Sequence, residues 1–257
     1  GWPMILKTPR GGYDGKGVLK LDSADQARAS ATDGTLGTWL AAGISPLLAE
    51  AFVPFTRELS AQVARTPSGQ VRAYPVVDSL QTDGVCDLVV APAPDLPEEL
   101  AAAGAAAAVR IAESLGVVGM LAVEVFQTGE GAADFQINEL AMRPHNSGHW
   151  SMDGAVTGQF EQHVRAVLDL PLGDTRPLGA HTVMKNLLGG RNQDLYSALP
   201  AALDAAPNAK IHTYGKDVKP GRKIGHVNVV AETADDIAAA REAAERAGAI
   251  LRDGSSD

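Results

Sequence analysis

Residues 135–149 carry a dense group of side chains that could bind an ion or a charged substrate. Alternation with period two predicts a strand with Phe135, Ile137 and Glu139 on one face, so that face ends in a carboxylate. Pro144 ends the strand pattern, and polar, basic and small residues follow it. A carboxylate, an amide, a guanidinium and two imidazoles so close together are typical of a ligand site. The alternative is a strand that runs into a polar loop.

A second carboxylate, Glu124, lies in a predicted strand over 117–126. A turn near residues 129–131 would join this strand to the next as a hairpin, with Glu124 and Glu139 nearly opposite each other. Two carboxylates directly across a sheet repel each other, and a divalent cation between them removes the repulsion. Mg²⁺ prefers a few carboxylates together with nucleotide phosphates, and Asn138 offers a further oxygen. The alternative is two exposed glutamates that point apart.

A glycine-rich loop at 11–17 follows a short predicted strand that ends at Lys7. Its backbone N–H groups could bind phosphate oxygens, and Lys7 could add a positive charge. The loop is not a Walker A motif, which requires GxxxxGK[ST], nor a dinucleotide fingerprint that opens a helix. A glycine-rich hairpin turn has the same pattern. Glu50 and Val53 lie where another strand ends and could hold an adenine, but nothing intrinsic to them requires this role.

Apolar periodicity predicts the elements that must position these residues. The clearest helix covers 96–115, and its apolar positions recur at helical spacing: Leu100, Gly104, Ala107, Ile111 and Leu115. Further strands are predicted over 3–7, 18–20, 47–53, 58–65, 71–77, 133–140, 181–188, 209–213 and 224–231. Further helices are predicted over 160–170, 193–203 and 234–247, with a helical or irregular connection over 22–42. Thr233 and Asp236 predict a capping box before the last helix.

The composition is that of a globular protein. The chain has 257 residues, of which 45% are apolar and 21% charged, enough for one large domain or two small ones. The net charge of −9 argues against non-specific binding to nucleic acid or to an anionic membrane. No apolar run approaches the ~20 residues that a membrane span needs. A single cysteine, Cys86, excludes an internal disulfide and favours a reduced, cytoplasmic setting.

The order of these features resembles that of ATP-grasp ligases. The finer resemblance is to the N5-carboxyaminoimidazole ribonucleotide synthases, the ATP-dependent carboxylases of bacterial and fungal purine synthesis. It covers nearly the whole chain and is carried by GGYDGKG at 11–17, PFTRELS at 54–60, RPHNSGHW at 143–150, QFEQHVRA at 159–166 and KDVKPGRKIGH at 216–226. RPHNSGHW together with QFEQHVRA is far more specific than the glycine loop, which is shared widely among ATP-grasp proteins.

The resemblance implies a role for each residue of the nucleotide side. Lys7 would bind ATP phosphates, and the 11–17 loop would close over them and shield them from water. Glu58 would hold the ribose. Glu124 and Glu139 would ligate Mg²⁺, with Asn138 beside them. The other ATP-binding residues that it implies are Gly11, Gly12, Gly15, Gly17, Glu50, Ala51, Phe52 and Val53.

The resemblance also implies a substrate side for aminoimidazole ribonucleotide and bicarbonate. Its catalytic residues would be Tyr13, Asp14, Lys16, Arg143 and His145. Asn146 and Ser147 would complete the pocket. Lys216 and Arg222, near a Pro-Gly turn, would hold the 5′-phosphate of the ribonucleotide, unless that turn is only a solvated basic loop.

The remaining histidines receive no catalytic role. His163, together with Glu161 on the same predicted helix, is expected to be structural, and His149 and Trp150 to support the site. No partner pattern surrounds three others, which are expected to be ordinary residues: His181, His212 and His226.

The implied fold is α+β ATP-grasp. Residues 1–56 would form the lid subdomain, N-terminally incomplete, 57–172 the large subdomain and 173–257 a C-terminal αβ region. The implied activity is ATP- and bicarbonate-dependent carboxylation of aminoimidazole ribonucleotide, through carboxyphosphate, by a homodimer. Whether carboxyphosphate or CO₂ donates the carboxyl group stays open. The alternatives are another ATP-grasp ligase, of the purine transformylase or biotin carboxylase type, or a non-catalytic nucleotide-binding fragment.

Two features depart from the family's pattern. The family has an additional N-terminal domain of roughly a hundred residues, the size of a small domain. This domain does not precede Gly1 in the sequence, so we expect the chain alone to have little or no carboxylase activity. Met142 stands where the family usually has proline, and Asp78-Ser79 where it has Glu-Asn.

Overall fold

The computed structural model describes residues 1–12 and 15–254. Tyr13 and Asp14, which the resemblance implies to be catalytic, lie outside the described residues. The chain divides into two compact units. The first comprises Gly1–Pro54 with Gln81–Val85, and the second comprises Phe55–Leu80 with Cys86–Asp257.

The first unit contains a three-stranded antiparallel sheet in the order β2-β1-β3. Its strands are β1 Met4–Lys7, β2 Val18–Leu21 and β3 Leu48–Ala51. The connection between β2 and β3 contains two helices, α1 Ala24–Asp33 and α2 Thr35–Ala41. Helix α1 begins after Ser23, whose hydroxyl accepts a hydrogen bond from the backbone N–H of Gln26 and so caps the helix. The three predicted strands and the helical connection are confirmed.

A nine-stranded sheet accounts for most of the second unit. Eight strands follow the order β11-β12-β10-β7-β6-β4-β8-β9, and the short strand β5 pairs with β4. These strands are β4 Arg57–Arg65, β5 Val71–Ala73, β6 Val77–Thr82, β7 Val85–Ala91, β8 Gly119–Gln127, β9 Phe135–Ala141, β10 His181–Leu188, β11 Lys210–Thr213 and β12 Lys223–Ala231. The pairings that are resolved between them are antiparallel, as the alternating patterns predict.

Strand β7 is absent from the sequence predictions. Residues Leu88 to Ala91 are all buried, so both faces of this strand are covered. A strand buried on both faces is a continuous apolar run without the period-two signal. Because β7 pairs with β10, it joins the central strands to the C-terminal strands in one sheet.

The described part of this unit contains five α-helices: α3 Glu98–Ser114, α4 Ser151–Gly154, α5 Gln159–Val167, α6 Leu195–Ala205 and α7 Ile237–Asp253. The inner face of α3 buries Ala108 and Ala112 in one core cluster with residues of β4 and β8. Alanines of α6 and α7 share another core with β10 and β12. The expectation that Leu115 belongs to the inner face of α3 is wrong, because 56% of its surface is exposed beyond the end of the helix. The capping box of Thr233 and Asp236 is confirmed.

The hairpin of β8 and β9 contains a bulge. Glu124 pairs with Glu139 but Val125 pairs with Ile137, so Asn138 is an additional residue in β9. The simple alternation predicted for Ile137 and Glu139 is therefore interrupted. A bulge changes the direction of the side chains around it, and bulges are common beside active sites.

Candidate active site

Three glutamates lie on adjacent strands of the large sheet. Ser60 of β4 pairs with Glu124 of β8, which pairs with Glu139 of β9, and Glu58 lies two residues before Ser60. Burial, and then the charge of Glu139, raises the pKa of Glu58 to about 7. Burial, and then the charges of Glu139 and Glu58, raises the pKa of Glu124 to about 7. The prediction that Glu124 and Glu139 face each other across a hairpin is confirmed.

The paired carboxylates are chemically suited to Mg²⁺. Among the residues that the structure describes, no three His, Cys, Asp or Glu side chains form a metal-binding group of their own. Mg²⁺ does not need one, because it usually takes one or two carboxylates and completes its shell with water and substrate phosphates. Glu124 is largely buried and Glu139 opposite it is exposed, so the pair could present two carboxylates to one cation, and the bulge places Asn138 next to them.

His145 lies at the edge of this carboxylate group. Its side chain is buried, and Nε2 is 3.6 Å from Oε1 of Glu124. On the other side of the ring, Nδ1 is 2.8 Å from the hydroxyl of Ser147. That hydroxyl donates to Ser60 (2.8 Å) and accepts from the side chain of Gln62 (2.9 Å). The imidazole is thus held between a buried hydroxyl network and the carboxylate of Glu124.

The neighbours of His145 differ in exposure. Ser147 is fully buried, in a single 3-10 turn, Asn146–Gly148, whose start is capped by His145. Asn146 is partly exposed on the same turn. Arg143 is exposed, its guanidinium donates to the carbonyl of Pro144 (3.0 Å), and its charge offsets a small part of the burial that raises the pKa of Glu124. Arg143 and Asn146 therefore present polar groups to solvent, while the hydroxyl of Ser147 is hydrogen-bonded to His145 inside the protein.

Three histidines form a stack behind this turn. The rings of His149 and His226 lie 4.7 Å apart and those of His226 and His212 4.5 Å apart, both nearly parallel. His212 bonds Asp153 through Nε2 (2.7 Å), and His226 bonds the hydroxyl of Tyr214 through Nδ1 (2.8 Å). The sequence indicated no partner for His212 or His226, but the structure gives each of them one. They come together because β11 pairs with β12, a contact between residues that no sequence motif links.

Burial controls the charge of this stack. Burial, and then the charges of Lys223 and His212, lowers the pKa of His149 to about 4. Burial, and then the charges of His149 and His212, also lowers the pKa of His226. Burial alone would raise the pKa of Asp153, but hydrogen bonds from His212 and Asn228 bring it below its usual value. Near neutral pH His149 and His226 are therefore uncharged.

The basic C-terminal stretch is connected to the stack through Tyr214. The ring of Tyr214 is 6.0 Å from that of His149, and the ammonium of Lys216 lies over the same tyrosine, 5.1 Å from its centroid. Pro220 and Gly221 form the predicted turn, in which the Arg222 N–H donates to the carbonyl of Lys219 (3.0 Å). The guanidinium of Arg222 donates to the carbonyl of Asp217, next to Lys216 (3.3 Å).

Two family profiles match the chain. The profile described as ATP-grasp domain matches residues 1–160, more than half of the chain. The chain belongs to the ATP-grasp family. A second profile, described as Phosphoribosylaminoimidazole carboxylase C-terminal domain, matches residues 182–240. The fold predicted from the resemblance, α+β ATP-grasp, is confirmed.

Several relatives of this ATP-grasp chain are N5-carboxyaminoimidazole ribonucleotide synthases, so that resemblance is also confirmed. The one from Mycobacterium tuberculosis (strain H37Rv) is 49% identical over 255 residues, covering 98% of this chain and 57% of the relative. The one from Synechococcus elongatus is 42% identical over 245 residues, covering 95% of this chain and 59% of the relative. The chain thus spans less than two thirds of the length of the curated relatives.

Solved structures agree with the fold. The chain is similar to the N5-carboxyaminoimidazole ribonucleotide synthetase from Thermus thermophilus, with 38% identity, a TM-score of 0.80, and coverage of 100% of this chain and 63% of that one. It is also similar to the synthase from Aspergillus clavatus in complex with ADP and 5-aminoimidazole ribonucleotide. Here the identity is 30%, the TM-score 0.78, and the coverage 96% of this chain and 63% of that one.

The first unit contains most of the residues implied to bind ATP in an ATP-grasp protein. Lys7 at the end of β1 forms a 2.7 Å ion pair with Glu50 of β3. Ala51 is the last residue of β3, so Phe52 and Val53 lie beyond the strand. The Phe52 N–H donates to the carbonyl of Pro3. The ammonium of Lys20 lies over the ring of Phe52, 4.8 Å from the ring centroid.

The glycine-rich loop of this unit is exposed at Gly11, Gly12, Gly15 and Lys16. Gly17 has a φ of +80° and accepts a hydrogen bond from the N–H of Thr8 (2.8 Å). A Cβ at this position would lie 2.4 Å from Oγ1 of Thr8, so only glycine fits. The loop thus requires glycine for backbone reasons of its own.

Sequence reasoning missed several residues around His145 and His149. Gln62 bonds Ser147, the partner of His145, and the ring of Tyr214 contacts that of His149. Gln159 contacts both His145 and His149. The charge of Lys223 offsets part of the burial that raises the pKa of Glu124, and it adds to the burial that lowers the pKa of His149. Gln159 and Lys223 stood inside motifs that carried the resemblance, which was the available signal.

His163 is structural as predicted, since its Nδ1 accepts the Met120 N–H (3.1 Å). Within the described residues, no helix is long and apolar enough to cross a membrane.

The raised pKa of Glu124 leads to a testable pH dependence of stability. Between pH 4.5 and about 7 the carboxyl ionises in the unfolded chain but stays protonated in the folded one. The folded state then binds more protons, so the free energy of unfolding should decrease as the pH rises through this window in the absence of divalent cations. Urea denaturation at pH 5 and pH 7.5 measures the change.

Glu124→Gln should make this decrease smaller. Glu113→Gln is the matched control, since Glu113 is exposed on α3. If Glu124→Gln and Glu113→Gln show the same change with pH as the unmodified chain, the carboxyl of Glu124 is not responsible.

Proposed function

We propose that the protein containing this chain carboxylates 5-aminoimidazole ribonucleotide to its N5-carboxy form, using ATP and bicarbonate, in purine biosynthesis. The observation that carries the proposal is the cross-strand pair of Glu124 and Glu139, with His145 3.6 Å from Glu124, on an ATP-grasp chain. The similarity to synthases of this name over nearly the whole chain supports the same activity.

On the nucleotide side, Lys7 is proposed to bind ATP phosphates and Glu58 to hold the ribose. The glycines at 11, 12, 15 and 17 would place backbone N–H groups around the phosphates, and Glu50 to Val53 would line the adenine pocket. The exposure of the glycine loop and the position of Phe52 and Val53 just after β3 support this assignment.

Glu124 and Glu139 would hold Mg²⁺, with Asn138 beside them. Mg²⁺ bound there would offset negative charge on the transferring phosphoryl group. Without it, the two carboxylates repel each other, and burial together with the charge of Glu139 raises the pKa of Glu124 to about 7.

The reaction that fits has two steps. A bicarbonate oxygen attacks the γ-phosphorus of ATP, ADP leaves, and carboxyphosphate forms. The amine of the ribonucleotide then attacks the carboxyl carbon, directly or after CO₂ is released, and phosphate leaves. Arg143 and His145 would bind bicarbonate and the imidazole, and the resemblance implies catalytic roles for Tyr13, Asp14 and Lys16 as well. Carboxyphosphate is labile, so the loop must exclude water.

Asn146 and Ser147 would complete the ribonucleotide pocket, and Lys216 and Arg222 would hold its 5′-phosphate. Arginine offers a planar pair of donors to phosphate oxygens, and lysine adds a point charge. The link from Lys216 through Tyr214 to His149 supports a pocket that runs from the basic turn toward His145.

Three further statements stay proposals. The subdomain division at 1–56, 57–172 and 173–257 is one, and the cytoplasmic location predicted from the single cysteine is another. The third is a homodimer, which an apolar face of α5 supports. Phe160, Val164 and Val167 on this helix, followed by Leu168, are each at least 42% exposed at helical spacing.

A substrate panel tests the proposed function. ADP formation is measured with aminoimidazole ribonucleotide and bicarbonate, with formate and a purine precursor, and with biotin and bicarbonate. ADP formation that requires both the ribonucleotide and bicarbonate supports the proposal. Stimulation by either other pair points to another ATP-grasp ligase, and ATP binding without substrate-stimulated turnover to a nucleotide-binding module.

The basic turn offers a prediction on substrate affinity. In the active protein, Arg222→Ala should raise KM for the ribonucleotide by about ten-fold, the size of a lost charge-assisted contact, with little change in KM for ATP. Steady-state kinetics with each substrate varied in turn provides the measurement. Arg191→Ala is the matched control, because Arg191 is also an exposed arginine of the C-terminal region. An unchanged KM for the ribonucleotide in Arg222→Ala would mean that the turn is only a solvated loop.

A further inference from the structure

Gln159, the first residue of α5, is a fully buried polar side chain for which the proposed reaction has no role so far. Its Oε1 accepts the backbone N–H of His145 (2.9 Å). Its Nε2 donates to the carbonyl of the same residue (2.9 Å) and also lies 2.8 Å from Nδ1 of His149. One amide thus holds both backbone groups of His145 and one ring nitrogen of His149.

The orientation of this amide follows from its partners. The N–H of His145 needs an acceptor, so the oxygen of Gln159 must face it and the NH₂ group must face the carbonyl and the ring. Nδ1 of His149 is therefore an acceptor, and the neutral ring carries its proton on Nε2. The low pKa of the buried His149 agrees with this uncharged form.

The segment between the two histidines is closely packed against Gln159. A Cβ on Gly148 would lie 2.3 Å from Oε1 of Gln159 and 2.7 Å from Oε1 of Gln62. The backbone N–H of Gln159 also donates to Ser151 (2.9 Å), whose hydroxyl donates to the carbonyl of Gly148 (2.6 Å). Movement of the Gln159 side chain would therefore move the backbone that carries His145.

We propose that Gln159 is a positioning residue, which holds the imidazole of His145 at Glu124 and fixes His149 as a hydrogen-bond acceptor. The inference rests on the proposed function, in which His145 contacts the reacting substrates. Loss of this clamp leaves the ring of His145 bonded to Ser147 but frees its backbone to shift. A shift of about 1 Å in a catalytic group can cost on the order of a hundred-fold in rate.

The same helix provides a matched control. Gln162 is also fully buried, and its side chain forms an equivalent clamp on Gly173, donating to the carbonyl (2.9 Å) and accepting from the N–H (2.8 Å). Gly173 lies outside the proposed site. Methionine has nearly the shape of glutamine but no amide. Gln159→Met and Gln162→Met therefore each leave one backbone N–H and one backbone carbonyl without their side-chain partner.

The experiment compares these two variants in the active protein. Both should lower Tm. Gln159→Met should lower kcat by about ten- to a hundred-fold with little change in KM for ATP, whereas Gln162→Met should keep kcat close to that of the unmodified protein. Equal kcat in the two variants would overturn the proposal, because loss of a buried amide would then be the whole effect. If Gln159→Met does not fold, Gln159→Glu replaces it, since a protonated carboxyl can accept from His145 but donate to only one of the two acceptors.

A second measurement does not depend on turnover. In ¹⁵N spectra of histidine-labelled protein, His149 should have its proton on Nε2, and the signals of His145 and His149 should shift in Gln159→Met but not in Gln162→Met. If both variants leave these signals unchanged, the clamp is wrong whatever the reaction is. If the signals shift as expected but the unmodified protein does not carboxylate the ribonucleotide, the proposed function fails and the clamp itself stands.

Discussion

In the active protein, Glu139→Gln should weaken Mg·ATP binding by about ten-fold or more, because loss of a charged contact costs ~1.5–3 kcal/mol. The substitution keeps the shape of the side chain and removes its charge. Glu124→Gln should have a similar effect, since the two residues are paired across the hairpin. Titration of ATP binding at several Mg²⁺ concentrations provides the measurement.

The same substitution should have the opposite effect on the metal-free protein. Glu139 raises the pKa of both Glu58 and Glu124, so its neutralisation relieves repulsion between carboxylates on neighbouring strands. We therefore expect Glu139→Gln to unfold at a higher urea concentration than the unmodified chain near pH 7.5 without Mg²⁺. Weaker metal binding combined with higher stability is a pattern that a misfolded variant cannot produce.

Glu130→Gln is the control for both measurements. Glu130 is exposed in the turn of the same hairpin, so this variant removes one negative charge at a distance from the pair. It should change neither Mg·ATP binding nor stability appreciably. Unchanged Mg²⁺ dependence in both Glu124→Gln and Glu139→Gln would show that the pair is not the metal site.

The second large effect is expected at His145. His145→Asn should lower kcat by about a hundred-fold, the size of the effect when the group that positions a reactant is lost or displaced. Asparagine keeps a polar atom near the position of Nδ1, where Ser147 lies, and removes Nε2, which faces Glu124. KM for ATP should change little, because His145 is proposed to contact bicarbonate and the imidazole. Single-turnover and steady-state kinetics separate the two constants.

His163→Asn is the matched substitution at a structural histidine. Its Nδ1 accepts the N–H of Met120 on β8, and asparagine can present an oxygen at the same place. This variant should keep kcat. A loss of kcat in His163→Asn as large as in His145→Asn would assign the effect to general destabilisation of the sheet and not to the chemistry of His145.

Local patterns were sufficient for most of the fold. The hairpin of β8 and β9 was predictable because a short turn brings together residues only 15 positions apart, so the pairing of Glu124 with Glu139 follows from loop length. The helix over 98–114 followed from its apolar spacing and from Gly116. Strand β7 was not predictable in this way, because burial on both faces removes the alternation.

The amino-acid sequence by itself determined the ATP-grasp family of this chain and the pairing of Glu124 with Glu139, whereas the contact of His145 with Glu124 came from the tertiary structure. Nor did the sequence determine the stack of His149, His226 and His212 or the contact of Gln159 with both site histidines. Period-two alternation states which face of a strand a residue occupies, but not which strand lies beside it. His212 and His226 meet through the pairing of β11 with β12, and His149 joins them only when the turn after Pro144 packs on the sheet. Such contacts depend on how the whole core packs, because burial of distant apolar surfaces decides which polar groups are left to satisfy one another.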